Sequence, residues 1–295
     1  MILLPEGATI CIGAGALNFC FTNHTKQVVY CPWYFYKFVL AAPHQPVTIN
    51  LTTEIARQIS DHQLIFSSGL SAVTDFSYGI FRTTEALVVQ TSNIIEGQPA
   101  KWQLYIPIQG GDWQLSQISG TISNQPLLYP MSELIWLFLA NLSNALIIHA
   151  SAVYYMGHLL IFSGKSGVGK STIGNIFAKS GAKLIHDDKI LLSWHHSKLY
   201  AHNLPQFGSE HPITANGLAH IFFIEHATKN NLVVLNKVNA MAFCMANAIA
   251  NWGDKKFLNA QLNSMSILFS GMNAYKLGFK KEEGIVNFVM NEIST

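Results

Sequence analysis

Along the first half of the chain apolar and polar residues alternate. Val47, Ile49 and Leu51 stand against Thr48, Asn50 and Thr52, and Trp102, Leu104 and Ile106 stand against Gln103 and Tyr105. A period of two predicts β-strands with one buried face. Turn signals at Ala42-Pro43, Gly97-Gln98-Pro99 and Gly110-Gly111 separate these runs. The expected product is a small β-rich domain over residues 1–125, a recognition or structural module without a constellation that carries chemistry. Residues 117–130, with Gly120, Asn124-Gln125-Pro126 and Pro130, read as a linker. Beyond it the texture changes to a helix over 131–143, a strand over 146–155, a tight turn at Met156-Gly157-His158 and a second strand over 159–162. A helix over 171–180 follows, with Ile173, Ile176 and Phe177 on one face and Gly181 at its C-terminal end. There is no internal repeat and no low-complexity tract.

Composition narrows the classes. Hydrophobic residues are 49% of 295 and charged residues 12%, which fits a well-buried globular protein of two domains. Residues 134–148 are apolar enough to suggest a membrane helix, but Asn141, Ser143 and Asn144 interrupt the run and it is too short to span. A buried amphipathic helix after Pro130 is the expectation, with no membrane span. The net charge is +2, and the longest basic runs are the pairs Lys255-Lys256 and Lys280-Lys281, too short to track a phosphate backbone, so nucleic acid is not expected as a partner. The four cysteines, Cys11, Cys20, Cys31 and Cys244, lack C-x-x-C spacing, so neither a zinc site nor a disulfide framework is expected. The first residues show no basic stretch ahead of an apolar run, so the expected compartment is the cytoplasm.

The chemistry concentrates after the second strand. Gly164-Lys165-Ser166-Gly167-Val168-Gly169-Lys170-Ser171 fits G-x-x-x-x-G-K-[ST], and Thr172 follows. Glycines let backbone N–H groups curl around an anion, and the following helix N-terminus adds partial positive charge. Residues 164–172 are therefore expected to bind the phosphates of a nucleoside triphosphate, a loop that kinases, ATPases and GTPases share. Lys170 is expected to reach the β and γ phosphates and the Ser171 hydroxyl to ligate Mg²⁺.

Between Lys170 and Glu210 the only carboxylates are the neighbours Asp187 and Asp188, after the apolar pair Leu184-Ile185. Phosphoryl transfer needs one carboxylate for the metal and another for the proton of an incoming hydroxyl. Adjacent residues of a strand point to opposite faces, so both can serve only where the strand has ended or twisted. His149 lies on the strand before the loop, on the face of Ser151 and Val153. His195-His196 reads as a solvated turn.

These residues resemble the kinase core of the HPr serine kinase/phosphorylase family. The likeness rests on His149-Ala150-Ser151-Ala152, the G-x-S-G-x-G-K-S loop at 164–171, Gly181 and Asp187-Asp188. It is closer to the HPr-kinase-like proteins of peptide-modification clusters, including lasso-peptide kinases. The segment Pro205-Gln206-Phe207-Gly208-Ser209-Glu210 is similar to their Pro-x-x-Gly-x-[DE] stretch, and Ile221-Phe222-Phe223-Ile224 and Tyr275-Lys276-Leu277-Gly278-Phe279 are similar to two of their later strands. The resemblance implies an α/β fold, an HPr-kinase/PEP-carboxykinase-like P-loop core over 131–295 with a smaller N-terminal β-rich (α+β) domain. It implies Asp187 as the base that activates a serine hydroxyl, Asp188 as support for metal or base, His149 near the γ-phosphate, and association of the chain with copies of itself. The chain departs from the family in having no arginine after Arg82, so Lys276, Lys280, Lys281 or another subunit would have to supply that charge. It also lacks the family's glycine- and arginine-rich C-terminal signature, which argues against HPr as acceptor and against reverse phosphorylase activity.

The function expected first is a Mg-ATP-dependent serine kinase acting on a peptide or small protein. The alternatives are a small-molecule alcohol kinase of the same fold and a nucleotide-binding regulatory or assembly protein without transfer activity.

Overall fold

The alternating segments of the first half form strands, and the chain as a whole is a mixed α/β protein with two large sheets. The computed structural model describes residues 2–294 apart from 53–55, 57–58, 60–62, 69–75, 96–97, 119–122, 207, 248–254 and 283. The turn expected at Gly97-Gln98-Pro99 falls partly outside the described residues, as does the linker stretch around Gly120.

The chain divides into two units, the first made of Met1–Leu139, Pro205–Glu210 and Trp252–Lys255. Its strands are β1 (Ile2–Leu4), β2 (Thr9–Ala14), β3 (Leu17–Asn23), β4 (Val29–Cys31), β5 (Val47–Thr52), β6 (Gln63–Ser67), β7 (Phe76–Arg82), β8 (Ala86–Ile95), β9 (Gln98–Pro107) and β10 (Trp113–Gln117). Eight of them form one sheet in the order β2-β3-β5-β10-β9-β8-β7-β6, and β1 pairs with β4. The predicted alternation at 47–52 and 102–106 puts Ile49, Leu51, Trp102, Leu104 and Ile106 in the core. Helix α1 (Met131–Leu142) begins in this unit, where Trp136 meets Phe19 edge-on at 5.2 Å. It is buried on nearly every face, so the expected amphipathic pattern gives way to an apolar helix. It stops at Asn144, whose φ of 52° lies in the left-handed region while the Ala145 N–H donates back to the Ala140 carbonyl. No described helix is long and apolar enough to cross a membrane.

One expectation is overturned here. Cys11 and Cys20 face each other across the β2–β3 hairpin and are joined by a disulfide, their Cα atoms 4.0 Å apart. A separation of nine residues carries no signal by itself; the hairpin register set by the turn after Ala14 makes them neighbours. Cys31 and Cys244 are free and buried, and burial pushes both thiols up to about 12.

The second unit comprises Ala140–Leu204, His211–Asn251 and Lys256–Thr295. Its elements are β11 (Leu146–Tyr155), β12 (His158–Ser163), α2 (Lys170–Lys179), β13 (Lys183–His186), β14 (Lys189–His195), β15 (Lys198–Asn203), β16 (Thr214–Asn216), β17 (Leu218–His226), β18 (Asn231–Val234), α3 (Lys237–Ala246), α4 (Lys255–Leu268), β19 (Met272–Phe279) and α5 (Ile285–Ile293). The sheet runs β16-β15-β14-β11-β12-β17-β19-β18, with β13 also on β11. Strands β12, β17 and β19 are parallel and buried on both faces, which is why Ile221-Phe222-Phe223-Ile224 is continuously apolar. One face packs Ile161 and Phe223 with Ala240, Met265 and Leu268 of α3 and α4. The other packs Phe162 and Phe222 with Ile173 and Phe177 of α2 and Val289 of α5.

Two histidines are locked inside this unit. His202, 5% exposed, shares hydrogen bonds with Ser193 at 3.0 Å and Thr214 at 2.9 Å. His220 is fully buried and lies 3.0 Å from His158. Burial pushes each ring from the ordinary 6.5 down to about 4, helped at His220 by His158. The folded state keeps both rings neutral while the unfolded chain protonates them below pH 6.5. Stability is therefore full above that value and lost as pH falls toward 4, by at most about 3 kcal/mol per group. Denaturant titrations at steps from pH 7 to 4 are expected to show the midpoint falling across that window, with a shallower fall in His220→Phe.

Candidate functional site

The glycine loop leaves β12 at Ser163. Gly164 has φ of 154°, and a Cβ there would lie 3.0 Å from both the Ile224 carbonyl and Val168 Cγ1. Gly169, at 102°, caps α2, and a Cβ there would meet the Phe279 ring at 3.1 Å. The backbone turns where a side chain has neither the conformation nor the room. Helix α2 starts without a side-chain cap and without an acid in its first turn, so its leading N–H groups have no carboxylate or hydroxyl cap. Lys165, Ser166, Gly167 and Ser171 are exposed, and Val168 and Thr172 are half-buried. Lys170 is 8% exposed and donates to the carbonyls of Gly164 and Lys165, both at 3.0 Å. Burial lowers its pKa against the opposing pull of Asp187 and Asp188.

The carboxylates sit in a break between two strands that share one edge of β11. Strand β13 pairs with Ala152, Val153 and Tyr154, and β14 pairs with Leu146, Ile147, Ile148 and His149. Asp187 and Asp188 occupy the gap, tied in by the Ala150 N–H donating to the Asp188 carbonyl at 2.8 Å. The strand has ended where the pair occurs, so the alternation of faces does not separate them.

The pair is not symmetric. One carboxylate oxygen of Asp188 lies 3.5 Å from His149 Nε2 and the other 3.4 Å from Lys189 Nζ. Asp187 Oδ1 is buried without a hydrogen-bond partner among the described residues. The His149 pKa is lowered by burial and then by Lys170 and Lys189, against the two carboxylates. Its ring is therefore neutral at pH 7, and its approach to Asp188 is a polar contact of a neutral ring, not an ion pair. Burial also lowers His186. The electrostatic coupling of Lys170 and His149 to both Asp187 and Asp188 places these four sequence-predicted residues in one cluster. Lys189 is an addition to it. Its adjacency to the Asp pair was visible in the sequence, but its pairing opposite His149 was not.

Other candidates lie apart or are engaged. Lys276 pairs with Glu225 at 2.9 Å and Lys280 with Glu282 at 2.7 Å. In the Pro205–Glu210 segment, grouped with the first unit, Gly208 has φ of 87° and Phe207 lies outside the described residues. His196 and Ser197 have φ of 47° and 59°, which makes the His195-His196 stretch a tight hairpin turn.

Helix α2 crosses β11 at Gly174, where a Cβ would lie 3.1 Å from Ser151 Cβ and closer still to its hydroxyl. That hydroxyl is buried without a hydrogen-bond partner among the described residues. Gly174→Ala is expected to destabilise the protein by about 1–3 kcal/mol through overpacking. Ser151→Ala is expected to be neutral or stabilising by about 1 kcal/mol, because it removes an unsatisfied group, and to recover part of the Gly174→Ala loss. Denaturant midpoints of the three variants check this.

No family model matches the chain, and no curated protein matches it. Among solved structures, the HPr(Ser) kinase/phosphatase from Coxiella burnetii aligns with 50% of this chain and 99% of its own length, at 11% identity and a TM-score of 0.29.

Proposed function

We propose that this chain is a Mg-ATP-dependent kinase with an HPr-kinase-like P-loop core, transferring the γ-phosphoryl group to a hydroxyl, with a serine of a peptide or small protein as acceptor. The observation that carries the reading is a single one. A glycine loop on an uncapped helix N-terminus, its buried lysine and a pair of carboxylates meet in one unit, and a buried oxygen of Asp187 has no hydrogen-bond partner among the described residues. Such an oxygen is costly unless a proton or a cation completes it. Among the described residues the Lys170 ammonium donates to two loop carbonyls, which phosphate oxygens can replace with stronger, charge-assisted bonds.

On this reading residues 164–172 bind the phosphates through backbone N–H groups and Lys170. Ser171 and Asp188 would hold Mg²⁺, which neutralises charge on the β and γ oxygens when bound. Asp187 takes the proton of the acceptor hydroxyl. The acceptor oxygen bonds to the γ-phosphorus as the bond from phosphorus to the β–γ bridging oxygen breaks, and ADP leaves. His149, held beside Asp188, sits near the γ-phosphate. The choice of a peptide serine follows the motif resemblance.

A second reading, a nucleotide-gated binding protein without transfer, is favoured by one observation, the absence of arginine after Arg82. Purified protein with Mg²⁺, γ-labelled ATP and serine peptides encoded beside its gene separates them. Label on a serine supports the kinase; nucleotide binding with no transfer to any peptide or small alcohol supports the second reading.

A further inference from the structure

Building on the peptide-kinase reading above, we propose that the outer edge of β18 captures an extended peptide segment with an apolar centre and acidic flanks, and that this segment belongs to the phosphate acceptor. Strand β18 ends the sheet of the second unit. It pairs with β19 on one side, and no described strand pairs with it on the other. The Leu235 N–H donates to the Ala274 carbonyl at 2.8 Å. In an antiparallel ladder the N–H and C=O of one residue point the same way, and successive residues alternate. In this register Val233 bonds toward β19, while Leu232 and Val234 turn their N–H and C=O groups outward. A row of such groups is a template for one more strand.

The side chains along this edge select the occupant. Val233 and Val234 are 55% and 76% exposed, and Val238 at the start of α3 is 74% exposed, so the centre favours apolar residues on both faces of an added strand. Lys229 and Lys237 flank it, both exposed and neither in an ion pair among the described residues. No acid occurs from His226 to Gly253, so the flanks are uniformly positive. A second copy of the chain is the poorer fit. Antiparallel self-pairing through the outward groups of both Leu232 and Val234 brings Lys229 of each copy toward Lys237 of the other. Position ties the edge to the chemistry. A Cβ on Gly169 would meet the Phe279 ring, and Phe279 follows Gly278, the partner of Asn231, so β18 begins at the end of the sheet that carries the glycine loop. The sheet order is β18-β19-β17-β12-β11, so an added strand lies five strand spacings, about 24 Å, from β11 and the carboxylates beside it, a gap that about seven extended residues cross. The docked stretch and the acceptor serine are thus separate parts of one peptide.

The experiment is fluorescence anisotropy of the full chain, without nucleotide, using a labelled peptide with an alternating valine–threonine core, aspartate flanks and a serine about seven residues beyond the core. A twin carries lysine flanks, and a further probe is the first with its core amides N-methylated. Aspartate flanks are expected to bind about tenfold tighter than lysine flanks, and the order to reverse in the double variant Lys229→Glu, Lys237→Glu. Val234→Pro removes an outward N–H without touching a bond to β19 and is expected to weaken docking by about fivefold to tenfold. N-methylation of the probe is expected to weaken docking to wild type at least as much, which keeps the pairing testable should Val234→Pro lose its cooperative melt. No binding of the aspartate probe, equal affinity for the two flanks, or indifference to the backbone changes overturns the proposal. So does a wild-type dimer in sedimentation that Val234→Pro dissociates, since a second copy then occupies the edge. Docking with no label on the serine from γ-labelled ATP counts against the kinase reading and leaves the edge as a peptide site, whereas label on the serine that Val234→Pro does not slow overturns the edge assignment alone.

Discussion

Asp187→Asn is expected to abolish most phosphoryl transfer, by about 10²–10⁴-fold, the range for losing a general base, while Mg-ATP binding is kept. On the proposed reading the two effects separate, because the loop and Lys170, not Asp187, hold the phosphates. Removing one negative charge beside a polyanion site would, if anything, tighten nucleotide binding. The expected pattern is a kcat loss with an unchanged or lower KM. Stability gives an independent check. An oxygen of Asp187 is buried without a partner among the described residues, so the asparagine variant is expected to melt no lower than wild type, whereas a structural carboxylate would cost stability when replaced. Turnover equal to wild type would remove Asp187 from the base role and leave Asp188 as the one to test.

Lys170→Ala is expected to fail at both stages. Nucleotide affinity falls by about tenfold to a hundredfold for one lost charge-assisted contact, and turnover falls by about 10²–10³-fold beyond that for a lost donor to developing charge. A further consequence is specific to this loop. Lys170 donates to the carbonyls of Gly164 and Lys165, so its removal leaves the turn held only by backbone. Hydrogen exchange of the amides over 164–169 is expected to speed up in the variant without nucleotide. Lys170→Arg does not rescue, because a planar guanidinium is a poor substitute for a compact ammonium folded onto two carbonyls. Unchanged affinity in Lys170→Ala would contradict the placement of the phosphates.

What could be read from the sequence is what local spacing determines. The alternation at 47–52 and 102–106 became β5 and β9, and the helix after Pro130, the strand over Leu146–Tyr155 and the helix after the glycine loop came within a residue or two of their ends. Those elements depend on neighbours a few positions away, so periodicity and caps report them. Alternation alone requires that the strand bearing Asp187 and Asp188 has ended, and the break between His186 and Lys189 meets that condition. Features set by register between distant segments stayed hidden. The Cys11–Cys20 bridge needs the β2–β3 alignment, and Lys189 acquires its setting only because β14 aligns with β11. Neither pairing leaves a trace in composition or spacing.

The two strands that share one edge of β11 constrain how this gene can change. Register to Leu184 on one side and to Lys189 on the other fixes the number of residues between them, and a shift by one turns a side chain to the opposite face. Substitution within residues 184–189 can preserve the frame, but inserting or deleting one residue would strip Asp187, Asp188 or Lys189 of its position. Among natural variants, length differences are expected to accumulate in the exposed turn at His196-Ser197 and to be purged from 184–189, so that a count of indels alone would mark the site.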